Sequence, residues 1–456
     1  MIEGRGGPPL EVVIAGGGVA GLEALLALHR FAGPRVRVEL LAPEREFVYR
    51  PLAVAEPFRL VHPARIDLAE LAAEHGASHR RDALANLDAE RRTLHTDSGR
   101  TLRYEALLLA VGTRPVEAVS GALTFRGPAD VEAFGDLLRE LEHGKVRRVA
   151  FALHPGVRWP LPLYELALLS AAHLRGRRVE WTFVTHEAAP LEVFGASASR
   201  AVAGLLEEGG IEVMPSRVPL RATGGRLLLE DGGELDVERV VALPELRVPF
   251  FPGVPRGAGG FIPTDGLGRV KGLEHVFAAG DATSFPIKQG GLAAQQADIA
   301  AATIAGLAGA QVEPRAPDLL LRAALLTGSA PRFLRTTLAD REATSTAGRN
   351  VLWWPPGKIA ARYLAPYIAG RTEGGQPPPL DDVETLLGEE AEVAEADRTA
   401  ALELAFTAAD ADAGWRDYES ALKWLEVAEK LNVTLPPAYA EKREDWTRLA
   451  ATGAGA

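Results

Sequence analysis

The feature that most constrains the fold is the run LEVVIAGGGVAGLEALLALHRF, which begins at Leu10. Its apolar residues up to Ala15 predict a buried strand, and the leucines after the glycines recur at helical spacing. Between them lie Gly16, Gly18 and Gly21, in a GxGxxG pattern. At such a junction the first glycine permits a tight turn, the second admits a pyrophosphate, and the third brings helix and strand together. The run therefore predicts a dinucleotide-binding unit with the pyrophosphate at the helix N-terminus.

The second strand of such a unit commonly ends in an acid that binds the adenosine ribose. Here the strand VRVELL begins at Val36, and Ala42 takes the position of that acid. The nearest carboxylate beyond it belongs to Glu44. Glu44 either binds the ribose or is a solvated surface residue.

The composition limits the class of protein. The chain has 456 residues, 47% hydrophobic and 24% charged, with a net charge of -11, which describes a globular protein of several domains and disfavours a nucleic-acid partner. No uninterrupted apolar run is long enough for a membrane span, and no secretory signal is expected, so the expected location is the cytoplasm. The histidines lack ligand spacing, so no metal is expected. With no cysteine, disulfides, iron-sulfur clusters and a redox CxxC are excluded.

Two later segments also read as strands that end in glycine turns. YEALLLAVGTRPV, residues 104–116, ends its strand at Gly112, Thr113 and Arg114, and LEHVFAAGDATSFPIKQGG, residues 273–291, leads through AAGD into an Ala-rich helix. Together with the first glycine run they resemble the flavin-binding signatures of the two-dinucleotide-binding flavoproteins. That superfamily includes type 2 NADH dehydrogenases, sulfide:quinone oxidoreductases, ferredoxin reductases and disulfide reductases. The segment EREFVYRPLAV is similar to a stretch beside the flavin in the quinone-reducing branch.

The resemblance implies a doubly wound, three-layer α/β fold. It consists of an FAD-binding Rossmann-like domain, an inserted second Rossmann-like domain and a mostly helical C-terminal extension. The implied divisions are the first half of the FAD domain at 10–120, a degenerate NAD(P)-binding-like domain at 121–245, the second FAD half at 246–312, and a C-terminal cap or interface region with a helical tail at 313–456.

The resemblance also implies which residues hold a non-covalent FAD. Asp281 would accept a hydrogen bond from a ribityl hydroxyl, Gly280 would let the chain pass close to the phosphates, and Ala83 would offer its backbone to the adenine. The full expected set is Gly16, Gly18, Val19, Ala20, Gly21, Glu44, Arg50, Pro51, Ala83, Gly112, Thr113, Arg114, Gly280, Asp281, Lys288, Gln289 and Gly290.

The sequence KQGG supports a further role independently of any family. A helix that begins near Gly290 directs its positive end at whatever precedes it. A reduced flavin carries its extra charge at N1 and C2=O, so Lys288 and the amides around Gln289 and Gly290 would stabilise that anion. The alternative is a solvent-exposed lysine beside a loop.

The inserted domain keeps the pattern of a nucleotide-binding unit but not its glycines. RRVAFAL predicts a strand and PLYELALLSAAHL a helix, and the turn HPGVRWP between them adds bulk at Val157, Arg158 and Trp159. The prolines here lack a backbone donor, so ordinary NAD(P)H binding is expected to be impaired. Three interpretations remain open: Arg158 with His154 clamps an anion in an altered NAD(P)H mode, Trp159 fills a vestigial site, or the prolines only rigidify a loop.

The C-terminal third contains strand-like apolar runs over 319–338 and 351–370. They are expected to form a cap over the flavin or an interface of a homodimer. Part of the second run resembles an interfacial membrane segment, which predicts peripheral membrane contact, although an acidic stretch over 381–412 disfavours anionic lipid and ordinary packing is the alternative. The residues of that segment are Trp353, Trp354, Lys358, Arg362 and Tyr363.

The expected chemistry is hydride or electron transfer through FAD to an unknown acceptor, either a small molecule or a quinone. Without cysteines, the thiol relay of disulfide reductases and sulfide:quinone oxidoreductases is excluded. Two alternatives remain: a quinone reductase similar to type 2 NADH dehydrogenases, and a flavin-binding sensor or scaffold without turnover.

Overall fold

The computed structural model describes residues 8–312, 314, 319–349, 353, 357–372, 406, 409–410, 413, 418–430 and 435–451. The chain forms two compact units: residues 1–310 with 314–368, and residues 311–313 with 369–456. None of the helices in the described ranges is long and apolar enough to cross a bilayer.

The strands and helices are numbered here in chain order. The strands are β1 (Leu10–Ala15), β2 (Val36–Leu41), β3 (Glu46–Val48), β4 (Arg65–Asp67), β5 (Ser78–Arg80), β6 (Leu84–Asp88), β7 (Thr93–Thr96), β8 (Thr101–Arg103), β9 (Ala106–Leu109), β10 (Arg114–Val116), β11 (Leu123–Thr124), β12 (Arg148–Leu153), β13 (Glu180–Thr185), β14 (Ile211–Met214), β15 (Pro219–Thr223), β16 (Arg226–Leu229), β17 (Glu234–Asp236), β18 (Arg239–Ala242), β19 (Glu245–Arg247), β20 (Val276–Ala278), β21 (Leu320–Leu325), β22 (Arg332–Thr337) and β23 (Thr346–Gly348). The helices are α1 (Val19–Ala32), α2 (Leu68–Glu74), α3 (Val131–Glu142), α4 (Leu161–His173), α5 (Ala196–Glu208), α6 (Gly290–Leu307), α7 (Arg341–Thr344), α8 (Leu364–Thr372), α9 (Tyr418–Lys430) and α10 (Pro437–Ala451).

The first sheet confirms the predicted FAD-domain architecture. Its order is β20-β9-β1-β2-β5, and every neighbouring pair is parallel. The β9 strand ALLL is buried at every position, as strands covered on both faces are. Helices α1 and α6 pack against one another and join the two sequence-distant halves of this domain. All five strands end at the same edge, so the turns after β1, β9 and β20 meet there.

The inserted domain has a second parallel sheet, in the order β11-β18-β12-β13-β14. Helix α4, which follows the proline-rich turn, is buried around most of its circumference. A helix of that kind belongs to a core rather than to a surface. On one side it contacts the 3-10 helix Arg50–Phe58 of the FAD domain.

One hydrophobic core is shared by three sequence regions of the first unit. It takes Phe58 and Leu292 from the FAD domain, Leu166 from α4, and Leu325 and Leu334 from the C-terminal hairpin, all of them buried. The predicted strands in 319–338 are confirmed as the antiparallel pair β21 and β22, which β23 extends. The hairpin is therefore part of the body that carries the two sheets.

A segment over residues 357–364 is held at both ends by buried glutamates. Glu165 of α4 forms an ion pair with Lys358, and Glu23 of α1 accepts hydrogen bonds from the backbone amides of 362–364 at 2.6–2.9 Å. Burial raises the pKa of both carboxyl groups, and their partners oppose that rise. Each glutamate is the fifth residue of its helix.

This segment corrects the strand-like interpretation of 351–370. From residue 364 the chain forms helix α8, whose first amides are capped by Glu23. Trp353 is buried against Phe333, and Lys358 is buried with Glu165, so neither faces a membrane surface. These two residues are packed in the ordinary way, and Trp354 lies outside the described residues.

The described part of the second unit consists mainly of helices, as predicted for the C-terminal tail. Its α9 and α10 pack through Leu425 and Trp446, and Phe406 stacks on Tyr439 with ring centroids 4.2 Å apart. The helical pattern of the sequence is sufficient to account for this small core.

Candidate active site

Three glycine turns converge at the carboxyl edge of the first sheet. Gly16 follows β1 with φ of +124°, and a Cβ there would lie 2.1 Å from the Ala110 carbonyl oxygen after β9. Gly21 approaches as closely, because a Cβ on it would lie 1.9 Å from the Gly16 oxygen. Both positions exclude any side chain. The structure thus gives these two glycines the turn and packing roles expected of them.

Gly18 differs, because a side chain at this position would not collide with any nearby protein atom. It is the N-cap of α1 with an ordinary extended φ of -86°, and a Cβ on it would meet no atom within 4 Å. The helix start carries no side-chain cap and no acid in its first turn. Free amides and open space at a helix N-terminus suit a pyrophosphate. The residues present therefore fit the diphosphate of a dinucleotide.

The AAGD turn after β20 lies against the same helix start. Gly280 has a φ of +81°, and a Cβ on it would approach the Ala20 Cβ to 3.0 Å. Asp281 is half-buried, and its carboxylate has no hydrogen bond from the part of the chain that the structure describes. Burial raises the pKa of Asp281, while Lys288 and Arg50 lower it. A partly buried acceptor without a donor suits a ligand hydroxyl, which supports the expected ribityl contact.

Lys288 is buried, which excludes the solvent-exposed alternative. Its ammonium donates to the carbonyl oxygens of Thr283 and Phe285 at 2.5 and 2.6 Å, and it lies 4.0 Å from the centroid of the Phe261 ring. Burial lowers the pKa of Lys288 to about 8, and of the nearby charges Asp281 raises it. Two of its three donors are thus used by the protein, and its action on a flavin anion stays a prediction.

Helix α6 begins at Gly290, as predicted. The Gln289 side chain accepts from the Leu292 amide at 2.8 Å and donates to the Arg322 carbonyl at 3.1 Å, so that side chain is used within the fold. Ile359 covers Gly290, where a Cβ would lie 2.9 Å from it. This helix start can therefore act on a ligand through its positive electrostatic field and its backbone amides, but not through the Gln289 side-chain amide.

The other expected contacts lie around the same edge. Glu44 and Arg50 are exposed, and Pro51 follows at the start of a 3-10 helix. Ala83 already has a protein partner for each backbone group, since its amide donates to Asp82 and its carbonyl accepts from Asp97, both at 2.9 Å. Adenine binding there would have to use the second lone pair of the carbonyl.

The turn after β9 leaves the sheet at the same edge. Gly112 has a φ of +62°, and a Cβ on it would meet nothing within 4 Å, whereas the exposed Arg114 begins β10. Thr113 lies half-buried between them. This turn is therefore open on one side, as a turn that closes over a cofactor must be. The cofactor roles of all these residues stay predictions.

The turn in the inserted domain has the opposite character. The amides of Gly156 and Val157 are used inside the turn, bonded to the His154 ring at 3.0 Å and to its carbonyl at 3.0 Å. A Cβ on Gly156 would lie 2.1 Å from a carboxylate oxygen of Glu245, which itself lies 3.3 Å from the His154 ring. An acid fills the space beside this glycine, and it would repel a phosphate.

The acid after β13, the second strand of the β12-α4-β13 unit in the inserted domain, is also used internally. Glu187 follows β13 and accepts hydrogen bonds from the hydroxyls of Tyr164 and Thr185. Burial raises its pKa to about 7. Tyr164 comes from α4 and stacks on Phe183 with centroids 4.1 Å apart. A carboxyl group at this place in a nucleotide-binding unit meets the ribose, but here it meets a tyrosine.

Sequence reasoning did not identify Glu187, Tyr164, Glu245 or Phe261. The spacing of an acid two residues after β13 was a usable signal for Glu187. Glu245 gave no such signal, because it comes from β19, 89 positions after Gly156 in the sequence, and only the antiparallel pairing of β10 with β19 brings it to this region.

The fold and the bare first turn define a flavin-dependent oxidoreductase, and the comparisons with known proteins agree. A family model described as pyridine nucleotide-disulphide oxidoreductase matches residues 10–150 and 166–303, together more than half of the chain. The chain belongs to this family, its cofactor is FAD, and NAD(P)H is a common substrate in the family. The match lapses over residues 151–165, the stretch that contains the altered second turn.

Solved structures show the same fold at low identity. The sulfide:quinone oxidoreductase of the hyperthermophilic bacterium Aquifex aeolicus is 20% identical, with a TM-score of 0.68, over 75% of this chain and 87% of that one. A ferredoxin reductase from Rhodopseudomonas palustris is 20% identical, with a TM-score of 0.56, over 71% and 81%. A NAD-dependent persulfide reductase from A. fulgidus is 19% identical, with a TM-score of 0.54, over 72% and 64%. No curated protein sequence matches the chain.

Proposed function

We propose that this protein transfers electrons through FAD directly, without a protein thiol and without NAD(P)H bound in the usual pose of the second domain. The observation that carries the proposal is the Glu245 carboxylate beside Gly156, in the turn that would otherwise receive the pyrophosphate. The absence of cysteine from the sequence removes the thiol relay. The donor and the acceptor are then a small molecule, a quinone or a redox partner that reaches the flavin by another route.

The roles of the chain follow from its geometry. FAD, when bound, supplies the acceptance and donation of a hydride or of electrons. Gly18 and the first amides of α1 hold the diphosphate, and Asp281 orients the cofactor through a ribityl hydroxyl. Lys288 and the N-terminus of α6 place positive charge at the end of the site opposite the adenine, which favours uptake of electrons.

The second domain would then contribute structure rather than a nucleotide. Its ribose acid Glu187 is bonded to Tyr164, and its first helix is buried against the FAD domain and the C-terminal hairpin. These contacts would have to be broken before a dinucleotide could lie across the domain. Trp353 and Lys358 are buried, so these two residues do not contribute to the membrane-like surface that a quinone reductase would use there, and quinone is tested as an acceptor without being favoured.

The test is anaerobic reduction of the FAD-loaded protein followed through the flavin absorbance. Dithionite should bleach the flavin, whereas NADH and NADPH at millimolar concentration should not do so with a saturable rate. Prompt saturable bleaching by either nucleotide would contradict the proposal. Re-oxidation of the reduced protein by a water-soluble quinone, by a ferredoxin and by oxygen then compares acceptors, and no re-oxidation by any of them would favour a sensor.

A further inference from the structure

The altered second turn is tied directly to the segment that leads into α6. The backbone amide of Lys288 donates to the carbonyl oxygen of Arg158, with 3.3 Å between the two atoms. The Arg158 guanidinium lies 5.4 Å from the centroid of the Phe261 ring, and the Lys288 ammonium lies 4.0 Å from the same centroid. Two cations therefore lie near one buried phenyl ring, at the junction of the inserted domain with the expected flavin end of the site.

Among the described residues, no acid compensates the charge of Arg158. It is exposed, and in the described ranges no carboxylate lies within 4 Å of its guanidinium and no hydrogen bond uses it. Glu245 is committed to His154 at 3.3 Å and to Arg247 at 3.8 Å. The face of an aromatic ring attracts a cation but leaves the planar donors of a guanidinium unused.

The same turn separates two residues that the sequence grouped together. His154 holds the amide of Gly156 at 3.0 Å and pairs with Glu245, so its ring is occupied. Arg158 points instead to the side of Phe261 and Lys288. An anion in this region would therefore be bound by Arg158 and not by a clamp of both residues.

We propose that Arg158 anchors the second substrate of the flavin reaction, and that this substrate is a small molecule with a carboxylate or phosphate group. The inference rests on the proposed function, since it assigns the substrate class to the site that a nucleotide no longer fills. A guanidinium binds either oxyanion with two parallel hydrogen bonds, which replaces the lost cradle of backbone amides. Lys288 adds positive charge at the same Phe261 ring, with its ammonium 4.0 Å from the centroid, in a chain whose net charge is -11 and which otherwise repels anions.

The experiment uses isothermal titration of the FAD-loaded protein with succinate and, separately, with inorganic phosphate. Binding of at least one probe is expected, and Arg158→Gln should weaken it by about tenfold or more, since a charge-assisted pair is lost. Arg158→Lys keeps the charge but loses the two parallel donors of the guanidinium, so its affinity for the probe should lie between those of the wild type and Arg158→Gln. Arg177 provides a control because it is exposed in the same inserted domain but lies outside this turn, so Arg177→Gln should bind as the wild type does.

The outcomes separate this inference from the proposed function. Equal binding by wild type and Arg158→Gln, or no binding of either probe by the wild type, overturns the site. Tighter binding of phosphate than of succinate assigns the oxyanion to phosphate, and the reverse order assigns it to carboxylate. Saturable flavin reduction by NADPH that Arg158→Gln abolishes would overturn the proposed function and retain Arg158 as the anion anchor. Arg158 is exposed, so these variants are expected to fold, which an unchanged melting temperature would verify.

Discussion

The FAD domain and the inserted domain have the same architecture, but their turns before α1 and α4 differ in the space they leave beside a glycine. Each has a parallel sheet and a buried helix that follows one of its strands, α1 after β1 and α4 after β12. Both helices carry a buried glutamate at the fifth position that binds the segment 357–364. At Gly18 a Cβ would meet open space, whereas at Gly156 it would meet the Glu245 carboxylate. The comparison shows that two units with the same packing can differ in whether the turn before the helix leaves open space beside its glycine.

The largest expected effect comes from the ion pair between Glu165 and Lys358, which holds helix α4 of the inserted domain. Glu165→Ala leaves Lys358 buried without its partner, and it should destabilise the protein by about 3–5 kcal/mol. Thermal and urea unfolding would measure this. Glu142, which pairs with His173 of the same helix at the surface, is the control, and its substitution by Ala should cost less than about 1 kcal/mol. Equal effects would show that α4 is not fixed as described.

The next effect concerns Glu187 of the inserted domain, and it depends on pH. Folding raises the pKa of Glu187 from an ordinary 4.5 to about 7. Stability from the protonated group is therefore fully present below the lower value and is lost as pH rises through the higher one, by on the order of 3 kcal/mol. Glu187→Gln should abolish this loss in a series of melting curves. Glu212→Gln, on the exposed side of β14, should keep the wild-type profile, and parallel profiles for all three proteins would contradict the buried state of Glu187.

In the FAD domain, Gly18→Val should leave the fold intact and weaken the binding of FAD by roughly 10–100-fold. The reason is that the added atoms enter space that only a ligand would use. Fluorescence titration of the apoprotein with FAD would measure the dissociation constant. Gly204 of α5 also has open space around a Cβ, so Gly204→Val serves as the control and should not change FAD affinity. Unaltered FAD affinity in the Gly18 variant would remove the main evidence that Gly18 and the first amides of α1 bind the diphosphate.

The smallest effect is expected from Trp159→Gly. The Trp159 ring packs on Phe194 with centroids 6.0 Å apart, but it is one of several groups that occupy the region of the inserted domain where a dinucleotide would lie. Removing it leaves the prolines, Glu245 and the Glu187–Tyr164 pair in place, so flavin reduction by NADH should stay as slow as in the wild type. A saturable gain in stopped-flow measurements would show that this ring alone closes the site.

The sequence predicted those parts of the molecule that depend on local patterns. The start of α1 at Val19 and of α6 at Gly290 followed from glycines placed between apolar runs, and the doubly wound sheets were implied by the resemblance that the three glycine-turn segments carry. Glu245 and Glu187 could not be placed in the same way. Their effect depends on pairing between distant strands and on a tyrosine from a neighbouring helix, and neither leaves a periodic signal in the chain.

The C-terminal apolar run shows the same limit. Its residues were compatible with a strand, but the Glu23 carboxylate, from the opposite end of the chain, caps the amides at the start of α8 and favours a helix. Trp353 and Lys358 resembled an interfacial pair for a similar reason, since composition does not reveal that Phe333 and Glu165 cover them. Side-chain type alone did not determine which surface these residues face.

The contact between Glu23 and the amides of 362–364 has a consequence for biosynthesis. The two partners are separated by 339 to 341 positions, so the ribosome makes the first of them long before the last. Until residue 364 has emerged, the amino-terminal helix carries a carboxylate destined for an apolar environment with no donor to receive it. The nascent domain is therefore expected to complete the packing of this helix only after residue 364 has been synthesised.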